Sequence, residues 1–151
     1  MQNRRETLKQ SFAVAGLLGA TGLFPQHAFA FTKAAFEAKN VPDAVKAFGA
    51  AAPTESKDVT LTAPDIAENG AVVPMAVAST LPGVKHLLVL VEKNPNALVA
   101  KFDISEALEP AFSTRAKMGQ TSNVYAVAIT SDGKAFYSKK EVKVTLGGCG
   151  G

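Results

Sequence analysis

The 151-residue chain holds one thiol, third from its end, in the heptapeptide Thr145-Leu146-Gly147-Gly148-Cys149-Gly150-Gly151. Glycine has no Cβ, visits positive φ freely and supplies no side chain to bury. Gly147, Gly148, Gly150 and Gly151 therefore cannot build a pocket around the sulfur. The ordinary fate of an isolated cysteine is that of a small hydrophobe packed in a core, but that needs apolar neighbours, and the nearest is Leu146. A lone thiol can also join two molecules through an intermolecular disulfide. Catalytic cysteines are made thiolate-like by a nearby histidine, a cation or a helix N-terminus, which lowers a free pKa of about 8.5. No such group is adjacent to Cys149, and the C-terminal carboxylate, two residues away, disfavours the thiolate. A poorly activated thiol on a thin tether suits a carrier that presents covalently bound cargo to the active sites of other proteins. Thr145 to Cys149 is four residues, which at roughly 3.3–3.6 Å each carries the sulfur about 13 Å beyond Thr145. An arm without side chains also passes through a channel that any bulkier residue would block.

Other chemistry-bearing residues are sparse. His86 lies inside the apolar run VKHLLVLV, where a strand residue near the surface is expected rather than a general base. With one distant cysteine it cannot make a metal site, and no C-x-x-C-H haem motif is present, so neither a metal nor another cofactor is expected. Arg115 is the single arginine after residue 30 and reads as a strand-edge surface charge rather than an anion site. No paired-carboxylate constellation stands out.

The first thirty residues, MQNRRETLKQSFAVAGLLGATGLFPQHAFA, have a charged start, a weakly apolar stretch from Ser11 to Phe24 and a small-residue site at Ala28-Phe29-Ala30. This is the pattern of an export signal cleaved after Ala30. The apolar stretch carries Gly16, Gly19 and Gly22 and is shorter than the about 20 residues a bilayer span needs, so no membrane attachment is expected after cleavage. Arg4-Arg5 with Leu8 and Lys9 fits the twin-arginine motif; a general secretory signal is the alternative, and either route leads out of the cytoplasm. Cleavage removes Arg4, Arg5, Lys9 and Glu6, leaving 13 basic and 12 acidic residues. That balance, with its lysines scattered, excludes a nucleic-acid binder, which needs a clustered basic face.

These features require a scaffold. The whole chain is 47 % hydrophobic, and cleavage after Ala30 leaves 121 residues, enough for one sandwich-sized core. From Thr32 to Phe48 the pattern is helical, with Thr32 suited to cap a first turn, Pro42 and Asp43 to open a second, and Phe36, Val45 and Phe48 on its buried side. After Gly49 the period becomes strand-like. Seven runs rich in β-branched and aromatic residues follow: Val59–Thr62, Ala71–Ala78, His86–Val91, Leu98–Ile104, Phe112–Met118, Val124–Thr130 and Lys134–Leu146. Asn69-Gly70, Pro82-Gly83, Asn94-Pro95 and Asp132-Gly133 punctuate them. Asp132-Gly133 reads as a two-residue type I′ turn pairing Val124–Thr130 with the last run. In that run Val142, Val144 and Leu146 share one face, and the core pattern stops there. The expected fold is mainly β: an immunoglobulin-like antiparallel β-sandwich with a short N-terminal helical segment and a flexible C-terminal arm, residues 147–151.

The terminal GGCGG preceded by KVTL, the β domain, the twin-arginine signal and the stretches APDIAENGAVVP (63–74), EKNPNALVAKF (92–102) and TSNVYAVAITSDGKAF (121–136) together resemble the SoxY family, sulfur carrier subunits of the thiosulfate-oxidising Sox system. Asn94-Pro95-Asn96-Ala97 departs from the family's frequent asparagine-proline-x-proline form. The resemblance implies that Cys149 is joined oxidatively to the sulfane sulfur of thiosulfate by a separate c-type cytochrome. A hydrolase would then release sulfate, and a sulfur dehydrogenase or another acceptor would treat the remaining persulfide. The chain would thus be a substrate, not an enzyme. It also implies a periplasmic heterodimer with SoxZ, a β protein without its own signal that would travel alongside. Two other readings compete: an exported β-sandwich binding module whose Cys149 only links a homodimer, and a thiol oxidoreductase with a depressed thiolate pKa.

Overall fold

In the computed structural model, residues 33–145 are described. They form two β-sheets and a helical layer. The strands are β1 (Thr54–Glu55), β2 (Val59–Thr62), β3 (Ile66–Ala67), β4 (Val73–Ser79), β5 (Val84–Val91), β6 (Leu98–Asp103), β7 (Ala111–Ala116), β8 (Ser122–Thr130) and β9 (Ala135–Val144). One sheet runs β1-β9-β8-β5-β6, with β3 also on β9; the other is β2-β4-β7. All seven expected runs are strands, and the sandwich architecture stands.

The near-continuous apolar runs of β5 and β8 have a simple cause: both faces of these central strands are covered. Leu87, Val89 and Val91 point into the core between the sheets, as do Val124, Ala126 and Ala128. Leu88, Leu90, Val127 and Ile129 point the other way, under the helical layer. By contrast β4 faces water on one side and alternates, with Val73, Met75 and Val77 buried and Pro74 exposed. Burial on one face gives period two, and burial on both hides it.

The helical layer comprises a helical stretch at residues 33–37 and α1 (Val41–Lys46). Asn40 caps α1, its Oδ1 accepting from the Asp43 N–H at 2.9 Å, while Pro42 and Asp43 occupy the first turn as expected. The buried side differs from expectation. Val45 is buried, but Phe36 is 37 % exposed and Phe48 only partly covered. Ala35, Ala38, Val41 and Ala44 make the contact instead. Small side chains let the helical backbone lie close to Leu88 and Leu90, which a phenylalanine would hold away. Thr32 lies outside the described residues.

Two further expectations are corrected. The sheet is not wholly antiparallel: β1 and β3 both pair parallel to β9, at Phe136–Tyr137 and Lys143–Val144 respectively. At two residues each they are too short to show a period. The Asp132-Gly133 hairpin is not a two-residue type I′ turn. Ile129 pairs with Ala135, the Thr130 N–H donates to Lys134 O, and the Gly133 N–H donates to Thr130 O. The loop is therefore three residues, Ser131 to Gly133, with only Gly133 at positive φ (79°) and no non-glycine residue there. The Thr130 hydroxyl donates to the Asp132 carboxylate, holding Asp132 on the right-handed side and leaving the left-handed position to glycine, a common three-residue hairpin.

Candidate functional site

The part of the candidate site within the described residues is the end of β9, from which the cysteine-bearing tail follows in sequence. Val142 is fully buried in the core between the sheets and Val144 packs against it, as the alternation in KVTL requires. The chain is then tied at successive positions. Lys143 N–H donates to Asp65 O at 2.9 Å and Thr145 N–H to Ala67 O at 3.2 Å. The Val144 N–H donates to the Thr121 hydroxyl at 3.0 Å. Earlier on β9, the Lys140 ammonium reaches Ala63 O at 2.6 Å and the Asp65 carboxylate at 2.9 Å. These contacts fix the position from which any tail departs.

Cys149, Gly147, Gly148, Gly150, Gly151 and Leu146 lie outside the described residues, as do Arg4, Arg5, Ala28 and Ala30 of the export signal. His86 and Arg115 are described, and neither joins the base of the arm. His86 stands at the opposite end of the sandwich: it pairs with Ile129, which pairs with Ala135, the first residue of β9. From Ala135 to Val144 is nine residue steps, about 30 Å at the rise of a strand. An arm reaching about 13 Å beyond Thr145 cannot bring Cys149 within the about 3 Å a general base requires. His86 instead belongs to a cluster under the helical layer. Its Nδ1 lies 2.7 Å from Asp103, whose other oxygen receives Lys101 at 2.9 Å. The Phe48 ring packs against the imidazole, with the Lys101 ammonium 5.8 Å from its centroid. Burial pushes the Asp103 carboxyl up, but the hydrogen bonds from Lys101 and His86 outweigh it and hold the group below its usual value. This cluster seats Phe48, two residues beyond α1, on β5 and β6.

Arg115 projects from β7, the edge of the three-stranded sheet, and is exposed, as a surface charge should be. Among the described residues it makes no ion pair, and no cluster of three or more His, Cys, Asp or Glu is placed to hold a metal ion. No helix among them is long and apolar enough to cross a membrane. The tie points at Asp65, Ala67 and Thr121 were not legible in the sequence, because two are backbone carbonyls and the third is an ordinary loop threonine.

Comparison with known proteins bears on this geometry. Residues 44–149 match the family model described as "Sulfur oxidation protein SoxY". Among solved structures, the sulfur carrier protein SoxY from Chlorobium limicola f thiosulfatophilum is similar at 36 % identity and a TM-score of 0.61, over 68 % of this chain and 92 % of that one. A superoxide reductase (neelaredoxin) from Ignicoccus hospitalis is similar at 14 % identity and a TM-score of 0.51, over 57 % of this chain and 79 % of that one, a likeness of fold alone. No match is found among curated proteins. A β-sandwich whose last core strand leads directly to a cysteine-bearing tail defines a sulfur carrier rather than an enzyme. The chain belongs to the SoxY family of sulfur oxidation proteins.

Proposed function

We propose that this protein carries sulfur intermediates of thiosulfate oxidation as covalent adducts of Cys149, on an arm pivoting from Thr145. The carrying observation is that β9 is tied down as far as Thr145, four residues before the one thiol. The family match includes Cys149 itself.

Loading joins the cysteine sulfur to the sulfane sulfur of thiosulfate. An S–S bond forms, the thiol proton is released to solvent and two electrons pass to a c-type cytochrome. Hydrolysis then breaks the bond between sulfane sulfur and sulfonate: water supplies the oxygen of the departing sulfate, and a persulfide stays on Cys149 for a sulfur dehydrogenase or another acceptor. The protein supplies reach and a fixed origin, and its partners supply activation. Export by the twin-arginine route through Arg4 and Arg5, cleavage after Ala30 and assembly with SoxZ in the periplasm complete the proposal. Intact-mass spectrometry of protein purified from sulfur-grown cells tests it: thiosulfonate or persulfide mass on the terminal peptide, absent in Cys149→Ser, is expected. A thiol found only as a disulfide-linked dimer would overturn it.

A further inference from the structure

Of the three lysines on β9, only Lys140 faces the other sheet. It pairs with Val124 as Val142 pairs with Ser122 and Phe136 with Ala128, and Val124, Val142 and Phe136 all belong to the core between the sheets. Lys139, Glu141 and Lys143 take the alternate positions and are exposed. A charged head on a core face must be paired or carried out to the rim. The Lys140 ammonium is paired twice, with Ala63 O at 2.6 Å and with the Asp65 carboxylate at 2.9 Å. Ala63-Pro64-Asp65 is the link by which the chain leaves β2 in one sheet and enters β3 on β9 of the other. Lys140 therefore grips that link at both ends.

β3 has little hold of its own. Of its two residues, Ile66 is 55 % exposed and Ala67 buries only a methyl group. Yet the carbonyls of Asp65 and Ala67 are the ones that tie Lys143 and Thr145. We infer that Lys140 is a positioning residue for sulfur transfer: by holding the 63–65 link to β9 it keeps β3 seated, and so fixes the point from which the cysteine-bearing tail departs. The inference rests on the carrier role of the proposed function. Its weight falls on the carbonyl contact rather than on the ion pair. The Asp65 side chain is 87 % exposed, and ion pairs so open to water contribute little. Ala63 is buried, and its carbonyl accepts from a charged donor, the stronger kind of hydrogen bond.

Native-state hydrogen exchange of the purified protein separates a local clamp from general stability. Lys140→Met keeps the stem and removes the ammonium. The Lys143 and Thr145 amides should then exchange about 10-fold faster or more, while Leu88 and Val127 in the central strands stay within about threefold. Asp65→Asn should leave all four within about threefold. Lys140→Arg, which keeps the charge and the donors, should return Lys143 and Thr145 to within about threefold of wild type. Should Lys140→Met not fold, Lys140→Gln, one bond shorter and uncharged, decides in its place. For transfer, Lys140→Met should take up the thiosulfonate from tetrathionate on Cys149 at the wild-type rate, while sulfate release from that adduct by the hydrolase falls about 10-fold or more. Unchanged exchange at Lys143 and Thr145, an equal rise at all four amides, a Lys140→Arg variant no better than Lys140→Met, or sulfate release within about threefold of wild type would each overturn the role. Wild-type protein that bears no sulfur adduct in sulfur-grown cells would remove the carrier reading and this role with it, and the exchange rates would then show separately whether the clamp exists.

Discussion

Deleting Gly147 and Gly148 together isolates reach from chemistry. Thr145 is fixed to Ala67, so the sulfur of the intact chain can travel about 13 Å from that tie, and the deletion leaves about 7 Å. Leu146 would also have to enter any channel that now admits only glycine and cysteine. Displacing a reacting atom by as little as about 1 Å can cost about 100-fold in rate, so a loss of about 6 Å should reduce sulfate release by the hydrolase at least that far. Loading needs no partner if tetrathionate is the reagent: the thiolate displaces thiosulfate and becomes the thiosulfonate adduct. The assay therefore has two readouts, adduct formation with tetrathionate and sulfate release from the purified adduct. Loading should match wild type, and the melting temperature should shift by less than about 1 °C, because the last core residues, Val142 and Val144, precede the deletion and exposed sites away from packing contribute little. Sulfate release within about threefold of wild type would refute the reasoning, since a catalytic cleft could then be served without the full arm.

Three other outcomes follow from the scaffold. Leu88, fully buried between the six-stranded sheet and the helical layer, should cost about 2–5 kcal/mol on replacement by alanine, read by urea unfolding. Gly133 has φ of 79° and nothing within 4 Å of an added Cβ, so Gly133→Ala should lose about 1–2 kcal/mol from backbone strain alone, with the hairpin otherwise intact. Hydrogen bonds from Lys134 and then Thr130 lower the Asp132 carboxyl from 3.8 to about 2. A depressed acid stabilises the fold fully above its unfolded value and loses that contribution as pH falls through its folded one. In acid unfolding, wild type should therefore lose slightly more stability than Asp132→Asn as pH falls from 3.8 to about 2, a small difference because the carboxylate is exposed and screened, while Asp103, also depressed, titrates in both proteins.

The longer strands were legible whether one face is wet or both are covered: β2 falls on Val59–Thr62 as expected, and β4, β5 and β8 lie within two residues of their expected bounds, because alternation marks the first two and near-continuous apolar runs the others. β1 and β3 escaped because a two-residue strand has no period, and its pairing to β9 is decided by how the connector crosses between sheets. Phe36 misled for another reason: a large aromatic was assigned to the core on hydrophobicity, whereas the close approach of the helical layer selects Ala35, Ala38 and Ala44. The type I′ expectation rested on Asp-Gly alone and missed the Thr130 hydroxyl that holds Asp132. For the candidate site, the glycine-flanked cysteine can be singled out because its pattern is local to the sequence. The anchoring at Asp65 and Ala67 is long-range backbone pairing and that at Thr121 a hydroxyl contact, neither of which composition encodes.

The anchoring matters because a carrier needs a fixed origin. Each residue that frayed from the end of β9 would add about 3.3 Å to the arm and would free a side chain to travel with it. Terminal strands fray easily when only one neighbour holds them. β9 has β8 along one edge and two short parallel strands along the other, and β3 holds the last two strand residues, Lys143 and Val144. The otherwise unpredictable β3 therefore has a mechanical consequence: its pairing, with the bonds from Val144 N–H to Thr121 and from Thr145 N–H to Ala67, sets where the strand ends. Lys143 is exposed and charged, and release of this residue would carry a bulky cation toward any channel sized for glycine. A firm end to β9 and a glycine-rich sequence after Leu146 are thus two requirements of the threading step that the proposed function invokes.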